Sequence, residues 1–310
     1  MAAALENWIP FKLSFNEGIP HCEWLYTDGK EFTEPFFDET ISICRQTNRR
    51  SYRSVSGMDI LPAWRQEVED VAPSAFIFHV SRCGSTLASQ LLAEDRSNIV
   101  LSEVPFFDAV LRAGNTVPYE YLKDAIALHA PAKDYRKRLF IKTDSWHIFF
   151  YNQLRALYPQ TPFILLYRRP DEVARSQQKR RGMHAIPGLI EPTLFGFEND
   201  VRQMNMEAYL GEVLDKYNQA FLQVLEKDPL AFPINYKEGP VAMVEKIARI
   251  TDTPISDDQM DKIKSRATFH AKYPDQVFAE DEIKDPVPDY CRAAFEKYEA
   301  LEKIRNSKKF

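Results

Sequence analysis

The rhythm of apolar and polar positions changes near residue 74. From there, five short apolar or β-branched runs, at 75–80, 98–101, 138–141, 163–167 and 231–235, alternate with stretches of ten or more residues. The runs have strand length, and the stretches between them have helical spacing. Leu210, Leu214, Tyr217, Phe221 and Val224 recur at steps of four and three, which draws one face of a helix. Strands that alternate with helices predict an α/β fold: a five-stranded parallel sheet with helices on both sides. Proline-punctuated loops fill 254–288, and Phe295, Tyr298 and Leu301 mark a final helix.

Residues 1–73 have a different texture. Asp28-Gly29 suits a tight turn and predicts a hairpin of 21–27 with 30–33. Pro35 opens a helix running to about Thr47, 48–56 is a polar, Arg-rich connector, and 59–71 reads as a second helix. The expected organisation is an extension, 1–73, packed beside the cleft of an α/β domain, 74–310.

Composition narrows the function classes. Of 310 residues, 45% are hydrophobic and 27% charged, ordinary for a chain with a packed core. The net charge, 40 − 45 = −5, argues against a nucleic-acid coat but leaves room for a local basic pocket. Four cysteines without a CxxC spacing disfavour a zinc ribbon or a disulfide scaffold. No apolar run approaches membrane-spanning length, and the start lacks a basic segment followed by an apolar block. The expected compartment is therefore cytoplasmic.

The most informative stretch is Phe76-Ile77-Phe78-His79-Val80-Ser81-Arg82-Cys83-Gly84-Ser85-Thr86-Leu87. An apolar strand enters a short polar loop, and a helix begins near Ser85. Such a turn aims backbone N–H groups and the positive end of a helix at one point, where an anion fits. Gly84 lets the backbone approach, Ser85 and Thr86 add hydroxyls, and Arg82 adds a full charge. The Walker pattern fails because its first glycine and its lysine are missing. The dinucleotide and phosphatase loops fail as well.

The segment resembles the 5′-phosphosulfate loop of sulfotransferases that use 3′-phosphoadenosine 5′-phosphosulfate (PAPS), in the R-S-G-S-T-L form of the Golgi and bacterial branches. The resemblance implies a P-loop-like three-layer fold. It assigns Arg82, Cys83, Gly84, Ser85 and Thr86 to the co-substrate. In a second block, Phe163-Ile164-Leu165-Leu166-Tyr167-Arg168-Arg169-Pro170, an arginine closes a strand, and Ser176 follows Arg168 by eight residues. This is similar to the family's 3′-phosphate motif and implies that Arg168 and Ser176 hold that phosphate. Asn235-Tyr236-Lys237-Glu238 resembles the turn after the fifth strand and places Tyr236 beside the adenosine.

A third block, Arg138-Leu139-Phe140-Ile141-Lys142-Thr143-Asp144, is similar to the K-T-H of cytosolic sulfotransferases, with Asp144 where they have the histidine base. The other branch takes its base from the strand after the first helix, where Glu103 stands. Glu103 ranks first as general base and Asp144 second, and Lys142 is expected to support the leaving phosphate. The implied reaction is in-line transfer of a sulfuryl group from PAPS to the hydroxyl, less readily the amine, of a small-molecule or carbohydrate acceptor. The scheme requires no metal. The rival readings are a P-loop nucleotide kinase, with Asp144 near Mg²⁺, and a non-catalytic protein that binds PAP, the desulfated product.

Other residues carry weaker signals. Cys83, at a helix start beside Arg82, is expected to be a reactive thiol. His129 and His79 read as core residues, and His147 as a residue of the core or the cleft. The basic 179–182 segment is a solvated helix end or a lip over the cofactor. Acceptor contacts are expected from 1–73 and 182–200, whose Trp8, Trp24, Phe195 and Phe197 suit either a sugar face or a core.

Overall fold

The computed structural model describes residues 5–47, 54–269 and 286–308. Its first layer is a three-stranded antiparallel sheet of β1 (Trp8–Asn16), β2 (Ile19–Tyr26) and β3 (Ser54–Gly57). The hairpin turns at Glu17-Gly18, where both residues have positive φ (50° and 81°), as a tight two-residue turn demands. This corrects the expected hairpin. Asp28-Gly29 also has positive φ, but the chain there leaves the sheet for α1 (Phe37–Thr47). Part of the expected 48–56 connector is β3, and 48–53 lie outside the described residues. The expected helix at 59–71 shortens to α2 (Ile60–Arg65). Its remainder is drawn out because Val71 N–H donates to the Ala130 carbonyl and Asp70 bridges to Pro131.

The main sheet is β4 (Pro73–His79), β5 (Asn98–Ser102), β6 (Arg138–Lys142), β7 (Phe163–Tyr167) and β8 (Ala231–Asn235). All four pairings are parallel, in the order β5-β6-β4-β7-β8. Every residue of β7 is buried, as a strand covered on both faces should be. From β4 the chain crosses to an edge through α3 (Ser85–Ala93). It then returns through α4 (Pro105–Arg112), α5 (Glu120–His129), α6 (Tyr151–Leu157), α7 (Pro170–Lys179) and α8 (Met206–Lys227). Right-handed crossovers that run in opposite directions put their helices on opposite faces. Accordingly α9 (Pro240–Ile250) and α10 (Asp257–Ala267) pack with α3, and the final helix α11 (Arg292–Ser307) packs with α8. The sheet is flanked by helices, as the alternation of runs predicts. The chain reverses direction at β4, and the crevice beyond the carboxyl ends of the strands opens there.

The antiparallel layer packs through β1 on α4 and α5. Trp24 is buried between Trp64 and a hydrogen bond to Ser56 Oγ. His129 is fully buried and bonds the Ala125 carbonyl, a core residue as expected. Among the described residues, no helix is long and apolar enough to cross a membrane.

Candidate active site

A cavity of about 310 Å³ lies at the carboxyl ends of β4, β5, β6 and β7. The turn after β4 makes one wall. Ser81 and Arg82 are both in the left-handed region (φ 63° and 49°), and Gly84 (φ 77°) starts α3 without any side-chain cap. No side chain at the N-cap position occupies the first turn of α3, and Ser85, Thr86 and Leu87 line the cavity. A Cβ on Gly84 would fall 2.7 Å from two carbons of the Tyr236 ring, so glycine is required both for φ and for space. The Arg82 guanidinium enters the cleft and donates to the Arg180 carbonyl.

Cys83 departs from expectation. Its thiol is fully buried, donates to the Leu166 carbonyl at 3.4 Å and does not line the cavity. Burial pushes it up to about 11, so the helix start does not make a reactive thiolate there. Only the backbone of Cys83 remains to serve an anion.

The opposite wall comes from β7 and α7. Arg168 and Ser176 both line the cavity, as their spacing predicts. Arg168 donates to Glu172 at 2.8 Å and to the Arg82 carbonyl at 3.3 Å, and its guanidinium lies 4.3 Å over the Tyr236 ring. Tyr236 is thus held between Arg168 and Gly84 at the rim. The 179–182 segment divides: Lys179 ends α7 and is exposed with Arg180, whereas Gly182 lines the cleft and leads into a lip that Met183 and His184 continue. Gln177 fastens it, donating to Ser81 Oγ and His184 Nε2 while accepting from Gly182 N–H.

Acidic groups form the floor. Glu103 (φ 55°) directly follows β5, and its N–H donates to the Lys142 carbonyl at 2.8 Å. Its Oε1 lies 2.6 Å from Lys142 Nζ and 3.4 Å from His79 Nε2. Burial pushes the Glu103 carboxyl up, but the Lys142 ammonium and the His79 ring more than offset this and hold it well below the usual range. Lys142 is itself buried, lies 4.9 Å from the Phe36 ring centre and is not a lining residue. Lys142, expected to support the leaving phosphate, is placed behind Glu103, through which its charge reaches the cleft. Asp144, after β6, lines the cavity, and burial, then the charges of Glu103 and Asp108, push its carboxyl up to about 7 against His147 and Lys142.

Sequence reasoning missed several lining residues. His79, read as a core residue, points to the site, donating from Nε2 to the Thr143 carbonyl and accepting Ser81 N–H at Nδ1. Phe36, Trp146, Met183 and His184 form the apolar part of the wall. The aromatics expected at the acceptor, Trp8, Trp24, Phe195 and Phe197, line none of it. Phe195 packs on Phe149 and Tyr217, and Phe197 on Tyr209. His147 stands one step behind the wall, bonded to Asp108.

No family model and no curated protein matches the chain. Among the solved structures it resembles are sulfotransferases. One is the sulfotransferase domain from the curacin biosynthetic pathway: 15% identity, 74% of this chain and 98% of that one, TM-score 0.47. Another, from Mycobacterium avium, has 14% identity, covers 86% and 82%, and has a TM-score of 0.47. A mouse sulfotransferase complexed with PAP has 16% identity, covers 80% and 90%, and has a TM-score of 0.42.

Proposed function

We propose that the chain is a PAPS-dependent sulfotransferase acting on the hydroxyl of a small-molecule or carbohydrate acceptor. The observation that supports this reading is that two elements with donors suited to an anion line one cleft. The Ser81–Thr86 turn with its uncapped helix start faces the Arg168/Ser176 pair, with Tyr236 between them at the rim. A nucleotide with phosphates at both its 5′ and 3′ positions matches two separate anion sites. ATP, whose phosphates form a single chain, leaves the second site unused.

In the proposed reaction, the amides of the first turn of α3 and the Arg82 guanidinium hold the phosphosulfate, with hydroxyls from Ser85 and Thr86. The acceptor oxygen attacks sulfur in line, the bond from sulfur to the bridging phosphate oxygen breaks, and the electron pair leaves with that oxygen as PAP. A carboxylate of the floor takes the acceptor proton. Lys142 keeps Glu103 ionised and in place.

The test is thermal stability with PAP, with AMP and with ATP–Mg²⁺. Ligand at a hundredfold excess over Kd stabilises the native state by about 2.7 kcal/mol. PAP is expected to stabilise far more than AMP, and Arg168→Ala to erase that difference. Stabilisation by ATP–Mg²⁺ alone would overturn the reading in favour of a kinase.

A further inference from the structure

We infer that Asp144, rather than Glu103, takes the acceptor proton, and that His147 and Asp108 are positioning residues that hold Asp144 for this step. The inference rests on the sulfotransferase reading above and specifies its base.

The hydrogen-bond pattern behind the cleft wall has one consistent direction. Asp144 N–H donates to His147 Nδ1 at 3.2 Å, so that nitrogen carries no proton, and the ring's N–H is at Nε2. Nε2 donates to Asp108 Oδ1 at 2.9 Å and lies 3.6 Å from Asp144 Oδ2. Asp108 is held by Trp146 Nε1 at 2.6 Å on the same oxygen and by Arg112 Nη1 at 2.9 Å on the other. The polar atoms of Asp108, Asp144 and His147 lie within 4.8 Å of one another, a spacing that would suit a divalent ion. Here, however, the histidine atom facing the carboxylates carries the proton, and both Asp108 oxygens already accept. The contacts run from Arg112 through Asp108 to His147 and reach Asp144 at its backbone N–H, in a capping-box arrangement that holds the residue whose carboxylate lines the cavity.

Charge placement separates the two carboxylates. Protonating Glu103 would break its pairing with the Lys142 ammonium, whose side chain has 0% exposure, and leave a buried cation unpaired. Protonating Asp144 removes a negative charge from a group that also contains Glu103 and Asp108, and so relieves repulsion. The groups facing Asp144 are His147, Glu103, Asp108, Lys142 and, across the cleft floor, Tyr217, whose hydroxyl meets Ser145 Oγ at 3.0 Å. In the step, the acceptor O–H proton passes to an Asp144 carboxylate oxygen as the O–S bond forms, and the S–O bond to phosphate breaks. PAP leaves, and Asp144 returns its proton to water.

The experiment follows transfer from PAPS to an aliphatic alcohol, 2-phenylethanol, as probe acceptor, whose hydroxyl stays protonated across the pH range studied, together with PAP binding. The wild-type rate is expected to rise with pH through a midpoint close to that of Asp144, about 7. Asp144→Asn should lower kcat by roughly 100-fold or more, the usual size of a lost general base, with PAP affinity within about twofold. Asp108→Asn, which removes a neighbouring negative charge, should move the midpoint to lower pH. Retained turnover in Asp144→Asn with PAP still bound overturns this inference alone. Absence of PAP binding in the wild type overturns the parent reading as well. Carboxyl ¹³C NMR of aspartate-labelled protein, which needs no acceptor, reads the same group. A wild-type Asp144 that titrates in the ordinary carboxylate range, or a midpoint unmoved by Asp108→Asn, also sinks the proposal.

Discussion

Asp144 and Glu103 sit on the same floor and answer pH in opposite directions, which makes the residue scale measurable. Asp144 is raised to about 7, against an unfolded value near 3.9. Between those pH values the native state holds the extra proton, so this group removes stability as pH rises, by up to about 1.4 kcal/mol per unit. Asp144→Asn lacks this loss. It should gain on the wild type from about pH 4 to 7 and then hold a constant lead; parallel urea-unfolding curves across pH would contradict this. Glu103, held low by Lys142 and His79, contributes its stability above the unfolded carboxylate range and loses it as pH falls. The places of Arg82, Gly84, Arg168 and Ser176 on the cleft were legible because they are fixed relative to a strand end, which spacing encodes. His79 was not, because a histidine inside an apolar run looks like packing until the neighbouring strand brings Glu103 beside it. Cys83 was misread because a helix start predicts its field but not its orientation, and the side chain turns into the core.

The elements that build the site depend on how they are fastened to one another. Gln177 is fully buried on α7, and its amide spans the turn after β4 and the 180–184 lip. Gln177→Ala would leave the Gly182 N–H and the His184 ring without their partner, at a cost of about 1–3 kcal/mol per unsatisfied group. The expected outcome is a lower urea midpoint and faster proteolysis at 180–184 with the rest of the fold intact; a midpoint within error of the wild type would refute it. The five main strands were readable because burial on both faces leaves uninterrupted apolar runs. The first hairpin was displaced because Glu17-Gly18 and Asp28-Gly29 are both able to turn, and only pairing with β3 decides which one does. The apolar wall of the cleft was unreadable for a related reason. Phe36 and Met183 come from separate segments that meet only after the layers pack, whereas Phe195 and Phe197 are drawn into the core by α8.

Across the whole molecule, the last helix closes the sheet through a polar contact. Glu302 on α11 accepts from Tyr167 Oη at 2.6 Å, Asn235 Nδ2 at 2.8 Å and Arg305 Nε at 2.8 Å, tying the ends of β7 and β8 to the C-terminal helix. Burial raises its carboxyl, but Arg305 and these other donors hold it down to about 2. Its contribution is present above the unfolded carboxylate value near 4.3 and fades as pH falls toward 2. Glu302→Gln should therefore cost about 2 kcal/mol near neutrality and much less at the acid limit, read from denaturation at each pH. This closure was legible only as a helix, from Phe295, Tyr298 and Leu301; the carboxylate that anchors it has no sequence signature. One feature of the cleft also bears on protein engineering. Ser81, Arg82 and Glu103 hold left-handed backbone that glycine adopts at less cost, and all three line the cavity. Sequence optimisation guided by backbone preference alone would place glycine at all three positions. It would return a more relaxed scaffold stripped of the hydroxyl, the guanidinium and the carboxylate that line the cavity, so a thermostable redesign of this chain has to keep its strained turns.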